Sequence, residues 1–176
     1  MRLFSNALLL SGLFMCCIQQ GYGQKADTVD LISVSLGIVG QGTADYIKSA
    51  GSGYFALATL TNKQDTTIHF WIMSCSWPIE NFVSSSDSIN FAWAGCDHNT
   101  PDEIDLLPHR SIHFYGLIES KNKNLLLQTI KLGFIYFANF SDFWDSRHRR
   151  DKPKNLKIYW SNQAKIIYDL YSYQLD

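Results

Sequence analysis

Apolar and polar residues alternate in short runs along most of this chain. Such runs cover residues 29–39, 54–61, 66–74, 89–93 and 110–119, and polar or proline-containing turns separate them. A repeat of two residues is that of a β-strand with one buried face. No segment carries the wider apolar spacing of a long helix. The pattern therefore predicts an all-β protein.

The second half of the chain continues the pattern. Residues 104–107 predict a short strand before Pro108, and residues 131–138 predict a central strand because they are almost entirely apolar. Residues 156–160 and 164–173 predict a final hairpin. The total is about nine short strands separated by regular turn signals, which indicates an antiparallel immunoglobulin-like β-sandwich.

An earlier hairpin is also expected. Residues 54–61 and 66–74 are two aromatic, β-branched runs, and only the polar residues 62–65 separate them. A short polar turn between two alternating runs is typical of a β-hairpin.

The first residues have the features of an export signal. Arg2 provides a positive start, residues 7–18 form an apolar run too short to span a bilayer, and residues 21–23 place small side chains before Gln24. The expected organisation is a signal peptide over residues 1–23 and a single β-sandwich domain over residues 24–176. A buried N-terminal helix is the alternative, but no amphipathic period supports it.

The four cysteines divide between these two parts. Cys16 and Cys17 are removed with the signal peptide, unless one of them is the lipidated residue of a lipoprotein signal. Cys75 and Cys96 remain, and an oxidising compartment would join them in a disulfide. Such a bridge closes a loop of about 22 residues and restricts the unfolded chain by roughly 3 kcal/mol. Two separate buried thiols are the alternative.

The net charge and the hydropathy of the chain bear on whether it binds nucleic acid or spans a membrane. Removal of the signal lowers Lys+Arg from 15 to 14 and leaves Asp+Glu at 16, which gives a mature net charge of −2. A chain without basic excess is not expected to bind nucleic acid. No apolar run after the signal reaches the length of a transmembrane helix. The mature protein is therefore expected to be secreted or periplasmic.

Residues around the cysteines resemble a known group of proteins. The resemblance covers most of residues 54–138, and the matching positions are Met73, Ser74, Cys75, Ser76, Trp77, Cys96, Asn99, Pro101, Ile104, Leu106, Pro108, Ser111, Phe114 and residues 130–134. The chain resembles secreted immunoglobulin-like β-sandwich proteins of the Bacteroidota type. That resemblance implies no catalytic residues. The local spacing of the cysteines departs from antibody-type domains, where the disulfide spans a much longer stretch of chain.

Catalytic and metal-binding motifs are missing from the sequence. There is no Gly-x-Ser-x-Gly elbow, and no glutamate follows His109 in the His109–His113 pair, so the zinc-protease spacing fails. Trp77 and Trp93 are expected to fill the core. No catalytic residue, metal site or cofactor is predicted. A small hydrolase remains an alternative because four acids cluster in one turn-rich stretch: Asp97, Asp102, Glu103 and Asp105.

A candidate binding loop lies over residues 141–154, which are polar and mixed in character. Aromatic side chains next to a basic run can hold an anionic glycan or a peptide by stacking and charge. The residues of this candidate loop are Phe140, Phe143, Trp144, Arg147, Arg149 and Arg150. The alternative is a solvated loop that its aromatic side chains fix to the sandwich.

These observations together favour an exported, non-enzymatic protein with a binding or envelope-structural role. Its expected partner is an unknown protein or glycan. Besides the hydrolase, an inhibitor of a secreted protease is an alternative, with residues 84–88 or 147–154 as the inhibitory loop.

Overall fold

The computed structural model describes residues 30–44, 53–93, 98–120, 129–148, 156–166 and 172–175. The predicted signal peptide, with Cys16 and Cys17, lies outside these residues. The described part contains twelve strands and two helices. In chain order they are β1 (Ile32–Ala44), β2 (Gly53–Asn62), β3 (Ile68–Met73), α1 (Trp77–Asn81), β4 (Phe82–Ser84), β5 (Ile89–Ala92), β6 (Pro101–Leu106), β7 (Ser111–Ser120), β8 (Thr129–Ile130), β9 (Leu132–Tyr136), α2 (Phe140–His148), β10 (Lys157–Trp160), β11 (Ala164–Lys165) and β12 (Ser172–Leu175).

One layer of the molecule is a five-stranded sheet with the order β12-β1-β2-β7-β5. Its central strands β1, β2 and β7 are long, and all pairs among β1, β2, β7 and β5 are antiparallel. The exception is β12, which pairs parallel to β1 from Gln41↔Ser172 to Ala44↔Leu175. β5 is the outermost described strand at the opposite end of this sheet.

The second layer is assembled from smaller pieces. It contains a three-stranded sheet of order β10-β9-β4, the antiparallel pair β3–β6 and the short pair β8–β11. A backbone hydrogen bond of 3.0 Å, donated by Trp71 to the Phe137 carbonyl, joins β3 to the chain just after β9. β4 is the outermost described strand of its sheet.

The core lies between the two layers, as the alternation of apolar residues predicts. Side chains from the inner faces of both layers form one apolar cluster, in which Leu60 and Phe114 represent the first layer and Phe70 and Phe134 the second. The rings of Phe70 and Phe134 meet edge to face with their centres 5.2 Å apart. The prediction of an antiparallel β-sandwich is confirmed, although the described strands are more numerous than expected.

Helix α2 covers the outer face of the second layer. Phe143 is fully buried and packs with Phe137, Met73 and Ile135 in a separate small cluster. Phe134 faces the main core and Ile135 faces this helix, because successive side chains of a strand point to opposite faces. The almost unbroken apolar run of β9 is thereby explained.

Both predicted hairpins are wrong. β2 pairs with β1 and β7, whereas β3 pairs with β6, so residues 63–67 carry the chain from one layer to the other. Asn62 stabilises this crossing. Its buried amide donates to the carbonyls of Thr66 and Leu106, each at 2.8 Å, and its Oδ1 accepts from the Gln64 N–H at 2.8 Å.

The final hairpin is replaced by three separate pairings. β10 pairs with β9, β11 pairs with β8, and β12 joins β1 in the other layer. The predicted loop over residues 141–154 is also wrong in its first half, which forms α2. Among the described residues, none of the helices has the length and apolar character needed to cross a membrane.

Candidate binding cleft

A cleft of about 620 Å³ opens at one side of the sandwich, where the two outermost strands β4 and β5 lie on either side of it. Helix α1 forms one end of this edge cleft through Pro78 and Ile79, and Asn99 and Glu119 complete its lining. Clefts of 300–1,000 Å³ are typical of ligand sites. Neither the cysteine pair nor the aromatic motifs indicated this cleft in the sequence, because it depends on which strands end each sheet.

Every residue from 89 to 93 lines the edge cleft. Ile89 and Phe91 point into the core, whereas Asn90 points to the other face of the sheet because side chains alternate along a strand. A cavity that contacts consecutive residues, and therefore both faces of a strand, must run along the edge of that strand. The edge cleft consequently follows the outer backbone edge of β5.

The inner wall of the cleft is aromatic. Trp77 is buried and its ring packs against the rings of Phe82, Phe91 and Phe114 at centre distances of 5.7, 5.6 and 4.9 Å. Its predicted role in the core is confirmed. The same prediction is wrong for Trp93, which is 39% exposed and lines the cleft.

Ile79 is the most exposed apolar residue at this site. It projects from α1 with 74% of its surface accessible and lines the cleft. An exposed isoleucine beside an exposed tryptophan gives the entrance an apolar rim that can contact a ligand.

Glu119 is the one charged residue among the described residues that line the cleft. Its Oε1 is buried and has no hydrogen-bond partner among the residues that the structure describes. Burial raises the pKa of this carboxyl group above the ordinary value of glutamate, because removal of water disfavours the charged form. Its direct cross-strand neighbour is Asn90, on β5. The site therefore contains an acceptor, or a negative charge, that a ligand could satisfy.

Hydrogen bonds hold the end of the cleft near Cys75. Oδ1 of Asn99 accepts from the backbone N–H groups of Cys75 and Ser76, each at 3.1 Å. Ser74 and Thr100 exchange two further bonds, at 2.9 and 3.0 Å. Cys96 lies outside the described residues, so its disulfide with Cys75 stays a prediction.

The candidate binding loop has a different form from the one predicted. Phe140 and Trp144 are partly exposed on α2, with ring centres 5.6 Å apart, and Phe140 meets Trp71 edge to face at 4.9 Å. Phe143 cannot contact a ligand because it is fully buried. The nearest carboxylate to Arg147 is that of Glu80 on α1, with Nε and Oε1 3.7 Å apart. Arg149 and Arg150 lie outside the described residues.

The acidic stretch does not form a single turn. Residues 101–106 form strand β6, so Glu103 and Asp105 point to one face and Asp102 to the other. Asp105 contacts its cross-strand neighbour His69, with Oδ1 and Nδ1 2.7 Å apart. Asp102 is thereby separated from Glu103 and Asp105, so the three carboxylates do not lie on one face of the strand. Asp97 lies outside the described residues.

The remaining histidines are also apart from each other. His109 contacts Asp65 at 2.9 Å in a turn, and His113 contacts Thr59 at 3.0 Å on the outer face of the first sheet. Within the described part of the chain, no three His, Cys, Asp or Glu side chains come together as metal ligands do.

The serine-rich segment proposed for an inhibitor is a compact turn. The N–H of Ser85 donates to the Lys131 carbonyl, and the Lys131 N–H donates to the Ser85 hydroxyl, both at 3.0 Å. The hydroxyls of Ser86 and Ser88 lie 2.8 Å apart. An inhibitory loop must extend into a protease, whereas this turn is attached to the second layer.

No protein-family model matches this chain, and no curated protein matches it. A proposal about function therefore rests on the sequence, the fold and the edge cleft.

Proposed function

We propose that this chain is an exported, non-enzymatic β-sandwich protein that binds a protein or glycan ligand in the edge cleft. One observation supports this proposal above the others: a cleft between the outermost described strands of two sheets contains one charged residue, Glu119, whose Oε1 has no hydrogen-bond partner among the described residues. An unsatisfied carboxylate costs free energy, and a ligand that donates a hydrogen bond to this carboxyl group would recover it.

Export is supported by the sequence of residues 1–23, which resembles a signal peptide followed by a small-residue cleavage site. The resemblance to secreted immunoglobulin-like proteins of the Bacteroidota type agrees with a secreted or periplasmic location. A mass measurement of the mature protein tests this part of the proposal. We expect a chain that begins at Gln24, whereas a lipid attached to Cys16 or Cys17 would contradict that cleavage site.

Geometry near Cys75 supports the disulfide. Its Sγ lies 3.4 Å from the carbonyl oxygen of His98. Cys96 is two residues before His98 in the sequence, and a disulfide needs Cα atoms about 4.4–6.8 Å apart. The bridge would close one end of the edge cleft.

Ile79→Asp tests whether the cleft binds ligand. The purified mature chain is screened against a glycan array and a library of acetylated, amidated hexapeptides. We expect binding to at least one ligand class, and we expect Ile79→Asp to weaken it at least about tenfold because a charge then replaces apolar contact at the rim. Leu107→Asp is the matched control, since Leu107 is also exposed but lies outside the cleft.

Two results would overturn the proposed function. One is the absence of any bound glycan or peptide. The other is a ligand that Ile79→Asp and Leu107→Asp bind as tightly as the wild-type chain, which would place binding elsewhere on the surface.

A further inference from the structure

We infer that the ligand of the edge cleft is an extended polypeptide segment, which adds a strand along β5 and brings a lysine or arginine side chain to Glu119. This inference rests on the proposed function and specifies its ligand. It combines the free edge of β5, the apolar rim and the single acidic residue of the cleft.

The backbone of β5 is the first part of the argument. β5 pairs with β7 on one side only, and the cleft runs along the other side. In an antiparallel strand, alternate residues direct their N–H and C=O groups toward the same neighbour. About half of the β5 backbone groups therefore point away from β7. The Ile89 N–H already donates to the Ser86 carbonyl at 3.1 Å, so an added strand can pair with the outward groups that follow it along β5. A small apolar ligand or a sugar would leave this regular row of donors and acceptors largely unmatched.

Side-chain pockets are the second part. Residues of an added strand would alternate between the two faces of β5. On the inner face they would meet the apolar wall of Phe82, Phe91 and Ile79. On the outer face they would lie next to Asn90. The ligand is therefore expected to alternate apolar and polar residues.

The position of Glu119 selects a cation of a particular length. Neighbouring strands are about 4.8 Å apart, so an added strand would lie about 10 Å from β7, with β5 between them. Glu119 lies directly opposite Asn90. Only a long side chain on the added strand can pass over Asn90 to Glu119, and lysine and arginine combine that length with the donors that a carboxylate needs.

The experiment uses hexapeptides selected from the library by the full mature chain. We expect the selected peptides to share one lysine or arginine. Replacement of that residue by norleucine should weaken binding about tenfold or more, because a charge-assisted hydrogen bond is lost. Glu119→Gln and Asn90→Arg should each remove this preference, since the first deletes the charge and the second satisfies it from within the protein. Circular dichroism and thermal unfolding of both variants show whether they are folded.

N-methylated peptides test strand addition itself. One peptide carries methyl groups on its odd backbone nitrogens and a second on its even ones. We expect only one of the two sets to abolish binding, because only one edge of the peptide pairs with β5. If both sets bind equally well, or if the lysine can be replaced at no cost, the inference is wrong.

Other outcomes separate this inference from the proposed function. A glycan that binds with sensitivity to Ile79→Asp, in the absence of any peptide ligand, would leave the proposed function standing and overturn the inference. A concentration-dependent dimer that Asn90→Arg dissociates would assign the β5 edge to a second copy of the chain, which also overturns it. Peptide binding that ignores Ile79→Asp would overturn both.

Discussion

Two polar side chains, the buried Asn62 and the half-buried Glu119, show how single residues serve different purposes in this molecule. The side-chain nitrogen and oxygen of Asn62 both have hydrogen-bond partners, and these bonds hold the crossing between the two layers. The carboxylate of Glu119 has one buried oxygen without a hydrogen-bond partner in the described part of the chain. Asn62 begins a predicted turn and Glu119 ends a predicted strand, and the sequence does not predict which of the two is satisfied. Asn81 Oδ1 and the Tyr159 hydroxyl are also buried without a partner there, but of these three residues Glu119 alone lines the edge cleft.

Glu119 should make stability depend on pH. Burial raises its pKa in the folded chain above the value in the unfolded chain, so the folded state holds the proton more tightly. The stabilisation is complete below the unfolded pKa and is lost as pH rises through the folded pKa. We expect Glu119→Gln to raise the unfolding midpoint at about pH 7 and to leave it unchanged at about pH 4. Thermal unfolding across this range measures the difference.

Glu103→Gln provides the control for this pH dependence, because Glu103 is exposed on β6. The difference in unfolding midpoint between the wild-type chain and Glu119→Gln should change between pH 4 and pH 7. A constant difference would contradict the effect of burial on the carboxyl group.

Asn62→Ala should destabilise the fold by about 2–4 kcal/mol, since it leaves the carbonyls of Thr66 and Leu106 and the N–H of Gln64 without their partner. Urea unfolding of the variant measures the change. Asn90→Ala is the control, and we expect a change within about 0.5 kcal/mol because Asn90 is exposed. Equal effects of the two substitutions would show that Asn62 does not hold the crossing between layers.

Helix α2 is the element that differs most from its prediction, because its residues were expected to form a loop. The polar composition of residues 141–154 indicated a loop, yet Phe140, Phe143, Trp144 and Arg147 have the three- and four-residue spacing of a helix face. This helical spacing is present in the sequence, but the polar and charged residues between the aromatic positions favoured the prediction of a loop. By contrast, the strands were predictable because alternation persists wherever one face is buried.

Phe143 and Trp144 are neighbours with opposite roles. Phe143→Ala should cost about 3–5 kcal/mol because it leaves a cavity beneath the helix, next to Phe137. Trp144→Ala should cost about 1 kcal/mol or less, since it removes only partly exposed ring contacts with Phe140 and His148. Denaturant unfolding of both variants makes the comparison. A larger loss for Trp144→Ala would contradict the orientation of the helix.

At the scale of the whole molecule, the sequence predicted the layers but not their connections. An alternating run shows which side chains face the core, and the same run can pair with any strand of suitable length. Residues 54–61 and 66–74 therefore resembled a hairpin, although they belong to different layers. The edge cleft was unpredictable for the same reason, because it exists where two sheets happen to end.

The predicted disulfide would affect the molecule as a whole. Cys75 precedes the segment that contains β4 and β5, and Cys96 follows it, so the bridge would close this segment into a loop. Reduction should lower the free energy of unfolding by about 3 kcal/mol. Urea unfolding with and without reductant measures the loss, and a Cys75→Ser, Cys96→Ser variant should show no response to reductant. Free thiols at both positions in the isolated protein would refute the bridge.

The parallel pairing of β12 with β1 has a consequence for the order of folding. These strands come from residues 172–175 and 41–44, so about 130 residues must be produced before the first sheet is complete. A contact between such distant segments forms slowly, and it cannot form while the later segment is still being synthesised. The first sheet is thus expected to stay incomplete until residues 172–175 have been synthesised.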